Sequence, residues 1–184
     1  MPILEINLET PARLQGLLGQ LAAIPEKLNK AASNALRRTL KSGKQAARQK
    51  IASRYTIATG SVIETLKIRV DGLKGEMKSR GARNPMEKFQ HNPRVRINPG
   101  LPGGIFASVV KGQGGNIRRA FIQRKGGIWE RVGKARFPIR RFKSPAAPQM
   151  LGVTPVAEYI KRKMEERYGK NLDHAISAMI GGYL

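Results

Sequence analysis

One side of a predicted helix carries five basic side chains and no acidic one. An α-helix turns ~100° per residue, and at that step the five side chains fall within a wedge of roughly 60°. Charged helix faces usually mix both signs. A face of one sign therefore indicates contact with an anionic partner, either DNA phosphates or an acidic protein surface. The five residues are Lys30, Arg37, Lys41, Lys44 and Arg48.

A second basic group follows in the last part of the middle region. Most of it lies in a proline-containing segment that we predict to be irregular. We expect these side chains to contact the same kind of anionic partner. The group comprises Arg131, Lys134, Arg136, Arg140, Arg141 and Lys143.

The net charge of +23 on 184 residues is concentrated in two segments. Residues 27–54 hold nine basic and no acidic groups, and residues 80–143 hold sixteen basic groups against Glu87 and Glu130. Residues 155–184 carry an ordinary mixture of both signs. Self-repulsion on this scale favours a protein that works against anions or acidic partners.

The residue inventory argues against catalysis. The chain has two His, two Asp and no Cys, so a disulfide scaffold and a Cys-ligated metal site are excluded. Neither His91 nor His174 has a second His at metal-ligand spacing. We therefore expect no enzyme, no cofactor and no metal site.

The carboxylates are scattered, whereas a two-metal nuclease needs several that converge. Four Glu sit singly among basic residues, and we expect them to neutralise those neighbours. They are Glu64, Glu76, Glu87 and Glu130. We expect Glu165 and Glu166 to lie on a solvated helix face of alternating charge.

Glycine and aromatic residues give weaker signals. Residues 103–104 and 112–115 match neither a P-loop nor a dinucleotide fingerprint, and we predict turns or a loop there. Trp129 is the only tryptophan, near Phe121 and Phe137. It could stack on a base, but the interpretation we favour is core packing.

Neither a signal peptide nor a membrane span is predicted. The first ten residues lack the basic and apolar regions of a signal peptide. The mostly apolar run over residues 105–110, which includes Ser108, is far shorter than a span. We expect a soluble protein made in the cytosol, with no membrane partner.

The predicted architecture is one α+β domain over residues 1–184. It has a long N-terminal basic helix, a central mostly antiparallel sheet, and C-terminal helices packed on one face. The parts are a strand and short helix (1–25), the basic helix (26–54), a β-rich middle (62–132), a Pro-rich connector (133–153) and helices interrupted at Gly169 (154–182).

Within these parts, finer signals predict individual elements. Alternation predicts a strand over residues 3–8, and Thr10-Pro11 resembles the start of a helix. Glycine-containing turns predict two hairpins. The predicted middle elements are a helical turn (62–66), hairpin strands (67–71 with 75–80, and 120–124 with 128–132) and single strands (94–97 and 105–111).

Two stretches resemble the minor tail protein Z family of long-tailed phages, and more broadly tail-completion and neck proteins. Residues 31–57 resemble the family's N-terminal helix, with Ala35-Leu36, Arg38-Thr39 and Arg54-Tyr55. Residues 120–151 are similar to a pattern of short motifs in a fixed order. These motifs are Phe121-Ile122, Gly126-Gly127, Trp129 with Arg131, Gly133-Lys134 with Arg136, Pro138-Ile139, and Ser144-Pro145 through Pro148 and Met150.

The resemblance implies a structural virion protein that completes or caps the head-proximal end of a tail for joining to the head. It implies assembly in the host cytoplasm, other tail or neck proteins as partners, and a homo-oligomeric ring such as a hexamer. DNA is a further candidate partner. The chain carries a heavier basic load than the family pattern, which bears on the partner surface more than on the fold.

Two other function classes remain open from the sequence. Composition alone favours a basic nucleic-acid-binding module, associated with the ribosome or the nucleoid, which would bind free nucleic acid with a steep salt dependence. A phage-encoded nuclease is the other, and its test is metal-dependent cleavage of DNA.

Overall fold

The structure is a computed structural model that describes residues 3–9, 25–96 and 104–180. Its helices are α1 (Pro25–Arg54), α2 (Thr59–Ile63), α3 (Ala147–Leu151) and α4 (Thr154–Ile180). Its strands are β1 (Ile3–Glu9), β2 (Leu66–Asp71), β3 (Lys74–Arg80), β4 (Arg83–Pro85), β5 (Gln90–Asn92), β6 (Ile105–Val110), β7 (Gln113–Ile117), β8 (Ala120–Ile122), β9 (Ile128–Arg131), β10 (Ile139–Arg141) and β11 (Lys143–Ala146). The predicted α+β class is confirmed, with a long helix near each end of the chain.

The basic helix predicted over residues 26–54 is confirmed as α1. Ala, Leu, Lys, Arg and Gln dominate its sequence, and these residues have high helix propensity. The buried side of α1 includes several small residues, so neighbouring elements approach closely. Its core positions are Ala31, Ala32, Ala35, Leu36, Leu40, Ala46, Ala47 and Ile51.

Strands β1, β3 and β2 form an antiparallel sheet in that order against α1. The hairpin predicted between residues 67–71 and 75–80 is confirmed as β2 and β3. Asp71 pairs with Lys74 across a two-residue turn, in which Gly72 has φ +54, a left-handed value that glycine adopts without strain. The alternation of the sheet buries Met77 completely.

Helix α4 packs along α1. Tyr168 and Leu172 of α4 join the small residues of α1 in one buried cluster. The predicted interruption at Gly169 is wrong, since α4 runs unbroken from Thr154 to Ile180. Glycine inside a helix costs about 1 kcal/mol relative to Ala. The burial of Tyr168 before Gly169 and of Leu172 after it offsets that cost.

The remaining strands form three small antiparallel sheets. They are β10-β9-β8, β11-β4 and β5-β6-β7, each given in its spatial order. The predicted β-rich middle is confirmed, and its strands divide among several sheets. A larger hydrophobic cluster joins them to the helices and includes Ile51, Met77, Ile128, Met150 and Ile160.

The Pro-rich connector over residues 133–153 is not irregular throughout, as predicted, because it contains β10, β11 and α3. Its backbone groups find partners in distant parts of the chain. Phe142 N donates to Ile128 O at 2.8 Å, and Met86 N donates to Phe142 O at 3.1 Å. Buried backbone groups need such partners, and local sequence does not reveal them.

Three smaller predictions also need correction. Residues 94–96 form no strand, and Ile97 lies outside the described residues. The Gly-rich loop predicted over 112–115 is mostly strand β7, where Gly114 lies under the ring of Phe106. The helical turn lies at Thr59–Ile63, and Leu66 already begins β2. The short helix after Thr10-Pro11 lies outside the described residues.

None of the helices in the described part of the chain is both long enough and apolar enough to cross a membrane.

Candidate basic binding surfaces

The first candidate surface is the outer side of α1, termed the helix surface: Lys30, Arg37, Lys41, Lys44 and Arg48. Four of these side chains are exposed on the side opposite the buried small residues. Lys44 is half-buried, and its Nζ donates to Leu66 O at 3.1 Å, so it ties α1 to β2. Within the described ranges, none of the other four forms an ion pair with a carboxylate. The structure adds exposed Arg38 beside them.

The second candidate surface is termed the sheet surface: Arg131, Lys134, Arg136, Arg140 and Arg141. The structure divides it in two. Arg140 pairs with Glu130, and Arg141 pairs with Glu87. The charges of these two arginines are therefore largely neutralised. Glu87 and Glu130 thus neutralise bases as predicted, but the base that Glu87 neutralises is 54 residues away in sequence and not a neighbour.

The other three members of the sheet surface are exposed: Arg131, Lys134 and Arg136. Two of them lie against aromatic rings. The Arg131 guanidinium carbon is 5.7 Å from the centre of the Phe121 ring, and that of Arg136 is 5.8 Å from the centre of the Phe137 ring. Such contacts hold a guanidinium in place while its N–H groups stay free to bind an anion.

These arginine–phenylalanine pairs line a cavity of about 290 Å³. Sequence analysis missed two further members, Arg96 and Arg124, which lie in separate basic segments. The available signal was the repeated occurrence of Arg near Phe between residues 119 and 142. The nine described lining residues contain four Arg and no carboxylate; they are Arg96, Phe121, Ile122, Gln123, Arg124, Arg131, Arg136, Phe137 and Ile139.

The pleat of the β10-β9-β8 sheet explains why three of these residues, Phe121, Arg131 and Ile139, share one side. Directly paired residues of antiparallel strands lie on the same face. Phe121 pairs with Trp129, and Arg131 pairs with Ile139. Ile128 is fully buried, so it marks the opposite face, which is turned to the core.

Trp129 lies on this outer face and is half-buried. Its Nε1 donates to Gly126 O at 3.3 Å. The favoured prediction of core packing is wrong, because Trp129 belongs to neither buried cluster of the described residues. A strand places alternate side chains outward, and Ile128 takes the inward position.

A separate groove of about 820 Å³ lies between the segment that follows α1 and residues in and around the β5-β6-β7 sheet. Lys88, Arg94 and Lys111 make its lining basic. Glu87 also lines it, with Oε1 paired to Arg141 and Oε2 buried without a hydrogen-bond partner. His91 lies in the lining as well, and the groove adds positive charge near the sheet surface.

No group of three or more His, Asp or Glu in the described part of the chain is placed to hold a metal ion. His91 Nδ1 lies 2.9 Å from Phe89 O, and His174 is exposed. Ion pairs account for the shifted pKa values. A hydrogen bond from Lys78 lowers the pKa of Glu76, hydrogen bonds to Glu5 and Glu76 raise the pKa of Lys78, and a hydrogen bond from Lys163 lowers the pKa of Glu166.

The predicted solvated face of α4 is confirmed. Glu165 and Glu166 are exposed, and both pair with bases of the same helix, one of them Lys161 at 3.9 Å from Glu165.

No protein-family model matches the sequence, and neither a curated protein nor a solved structure matches it.

Proposed function

We propose that this chain is a non-enzymatic structural protein of a phage virion that completes the head-proximal end of the tail for joining to the head. It is assembled in the host cytoplasm as a homo-oligomeric ring, such as a hexamer. Its partners are other tail or neck proteins, and its basic surfaces also contact DNA.

The observation that carries this proposal is the set of basic side chains that have no carboxylate partner among the described residues. The helix surface projects from α1, which is anchored in the core. In the free part of the sheet surface, Arg131 ends β9, and Lys134 and Arg136 lie in the exposed connection between β9 and β10. Extended basic surfaces of this kind fit a large anionic partner better than a small substrate. A tail-end protein meets such partners in acidic protein surfaces and packaged DNA.

The two stretches that resemble tail protein Z also meet in space, which supports treating them as one unit. Tyr55 lies in the first stretch and Met150 in the second, and Tyr55 Oη donates to Met150 O at 3.5 Å. Both side chains belong to the larger buried cluster, together with Ile128 of the second stretch. A shared core would keep the basic groups of both stretches in a fixed relation.

A basic nucleic-acid-binding module is the second candidate function. The cavity lined by four arginines favours it, because its phenylalanines offer surfaces on which bases can stack. This candidate predicts binding to free nucleic acid by a monomer. The tail-completion proposal predicts self-association without nucleic acid.

A charge reversal in a phage that carries the gene tests the tail-completion proposal. Changing Arg37, Lys41 and Arg48 to Glu should give tails that form but fail in joining or DNA placement. The matched control changes Lys161, Arg167 and Lys170 of α4 to Glu, with the same loss of charge on another exposed helix. Normal infectivity of the α1 variant, or equal defects in both, would contradict the proposal.

A further inference from the structure

We infer that the outer face of the β10-β9-β8 sheet binds a short single-stranded nucleic-acid segment, with bases stacked on phenylalanine rings and phosphates held by arginines. This inference goes beyond the proposed function, because it adds a site for unpaired nucleotides to the duplex contact proposed for the helix surface. The binding site is the cavity between Phe121 and Phe137, here termed the stacking pocket.

The first argument is the chemistry of the lining. Arg96, Arg124, Arg131 and Arg136 surround the stacking pocket, and no carboxylate is among its described lining residues. Four guanidinium groups supply many N–H donors for phosphate oxygens. The two arginines of this sheet that do pair with carboxylates, Arg140 and Arg141, are not in the described lining.

The second argument is the exposure of the aromatic rings. Phe137 is 64% exposed, and the Arg136 guanidinium lies 5.8 Å from the centre of its ring. A nucleobase would cover it, and stacking on aromatic rings is the usual means of binding single strands without sequence preference. Bases in a duplex are already stacked on each other and cannot reach such a ring.

The third argument is size. At about 290 Å³, the stacking pocket is at the small end of ligand cavities, which run to roughly 1,000 Å³. It suits one nucleotide of a chain whose neighbours follow the basic surface outside. An acidic peptide would satisfy the arginines but would leave the exposed ring of Phe137 uncovered, so the nucleic acid is the better fit.

The chain contains its own reporter of occupancy. Trp129 is the only tryptophan, and it lies directly across the strand pair from Phe121 on the same outer face. Its fluorescence should therefore change when a base enters the stacking pocket. The probe is an oligothymidylate of about ten nucleotides, within the usual range of single-strand site sizes.

The test is a fluorescence titration of the full chain with three probes. The oligothymidylate should quench Trp129, while a duplex of equal length binds at least about tenfold more weakly because its bases are not free to stack. An oligoglutamate peptide should leave the fluorescence unchanged. If the duplex binds with the same affinity as the oligothymidylate, bases do not stack on the phenylalanine rings and the inference is overturned. Equal quenching by oligoglutamate would identify an acidic-protein surface instead.

Variants separate stacking from charge. Phe137→Leu should weaken oligothymidylate binding by roughly 5- to 150-fold, and Phe137→Trp should restore it, because a larger ring stacks at least as well. Phe137→Leu should leave the salt dependence unchanged. Arg136→Gln should lower the slope of log K against log salt by about 0.7. Unchanged affinity in Phe137→Leu would overturn the inference.

A matched phenylalanine and an assembly assay serve as controls. Phe106→Leu alters a half-exposed ring on the β5-β6-β7 sheet and should bind like the wild type. Phe137→Leu should also form the same oligomer as the wild type. If Phe137→Leu loses oligothymidylate binding but still assembles, the loss is due to the stacking pocket. If the wild-type chain binds oligothymidylate but never assembles, this inference stands and the ring is rejected.

Discussion

Asn171 Nδ2 donates a hydrogen bond to Thr39 Oγ1 over 3.0 Å and so joins α4 to α1. Thr39 is fully buried, and its hydroxyl donates in turn to Ala35 O at 2.8 Å. The two helices are thus joined by a polar chain beside the small residues that let them approach. The helix surface lies on the outer side of this helix pair, and its geometry depends on how the pair is held.

Thr39→Val should lower the free energy of unfolding by about 0.5–1.5 kcal/mol, the usual net contribution of one hydrogen bond. Val has nearly the shape of Thr but removes the acceptor of the half-buried Asn171 amide. Urea unfolding measures the change. The control is Ser42→Ala, which removes a hydroxyl bonded to Arg38 O on the same helix and should change the stability by less than about 0.5 kcal/mol. Equal losses in both would reject the interhelical role.

Gly43→Val should lower the free energy of unfolding by about 1–3 kcal/mol through overpacking. An added Cβ at Gly43 would lie 2.7 Å from Met164 Cγ and still closer to its Sδ. A second change, Met164→Ala, should recover part of the loss in the double variant, because it empties the space that the Val needs. Thermal or urea unfolding of the two single variants and the double variant checks this, and strict additivity would contradict it.

The variant Lys78→Met should lose less stability than the wild type as the pH falls into the acid range. Lys78 Nζ lies 2.9 Å from both Glu5 Oε2 on β1 and Glu76 Oε1 on β3, and it lowers the pKa of Glu76. A lowered folded-state pKa gives stability that is present above the usual value of 4.5 and is lost as the pH falls through the lowered pKa. The wild type should therefore lose more stability than the variant between about pH 5 and pH 3.

At alkaline pH the contribution of Lys78 to stability should be lost as the pH rises. Glu5 and Glu76 raise the pKa of Lys78 above 10.5, so its contribution is present below that value and is lost as the pH rises through the raised pKa. Unfolding of wild type and variant across both pH ranges checks the sign. Parallel curves for the two proteins would contradict the ion-pair network.

Changing Arg37, Lys41 and Arg48 to Gln should weaken binding to duplex DNA and lower its salt dependence. Each lost phosphate contact reduces the slope of log K against log salt by about 0.9. The slope should therefore fall by about 0.9 if one of the three side chains contacts a phosphate, and by about 2.7 if all three do. The control changes Lys161, Arg167 and Lys170 to Gln and removes the same charge from α4. An equal drop in both would show that net charge, and not the helix surface, governs binding.

Local signals predicted α1 and the β2–β3 hairpin well. Helix periodicity over many residues and a Gly-containing turn between alternating strands depend on neighbours in sequence. The buried side chains of α4 recur at helical spacing: Val156, Ile160, Met164 and Tyr168. Gly169 was misleading because packing of α4 on α1 overrides the propensity of one residue.

Long-range pairing accounts for what was missed. Strand β11 pairs with β4, and Lys143 lies opposite Pro85 far away in sequence. Arg96 reaches the stacking pocket only through the fold, and the pairing of Arg140 and Arg141 with carboxylates could not be assigned from spacing. Composition predicted that the middle region is basic, and the structure was needed to divide its arginines into paired and free ones.

Native mass spectrometry of the purified chain at moderate salt, with and without a short DNA duplex, tests the central claim most directly. The tail-completion proposal predicts one closed oligomer, such as a hexamer, that forms without DNA. A monomer that takes up duplex stoichiometrically and never self-associates would contradict it and would favour the nucleic-acid-binding module.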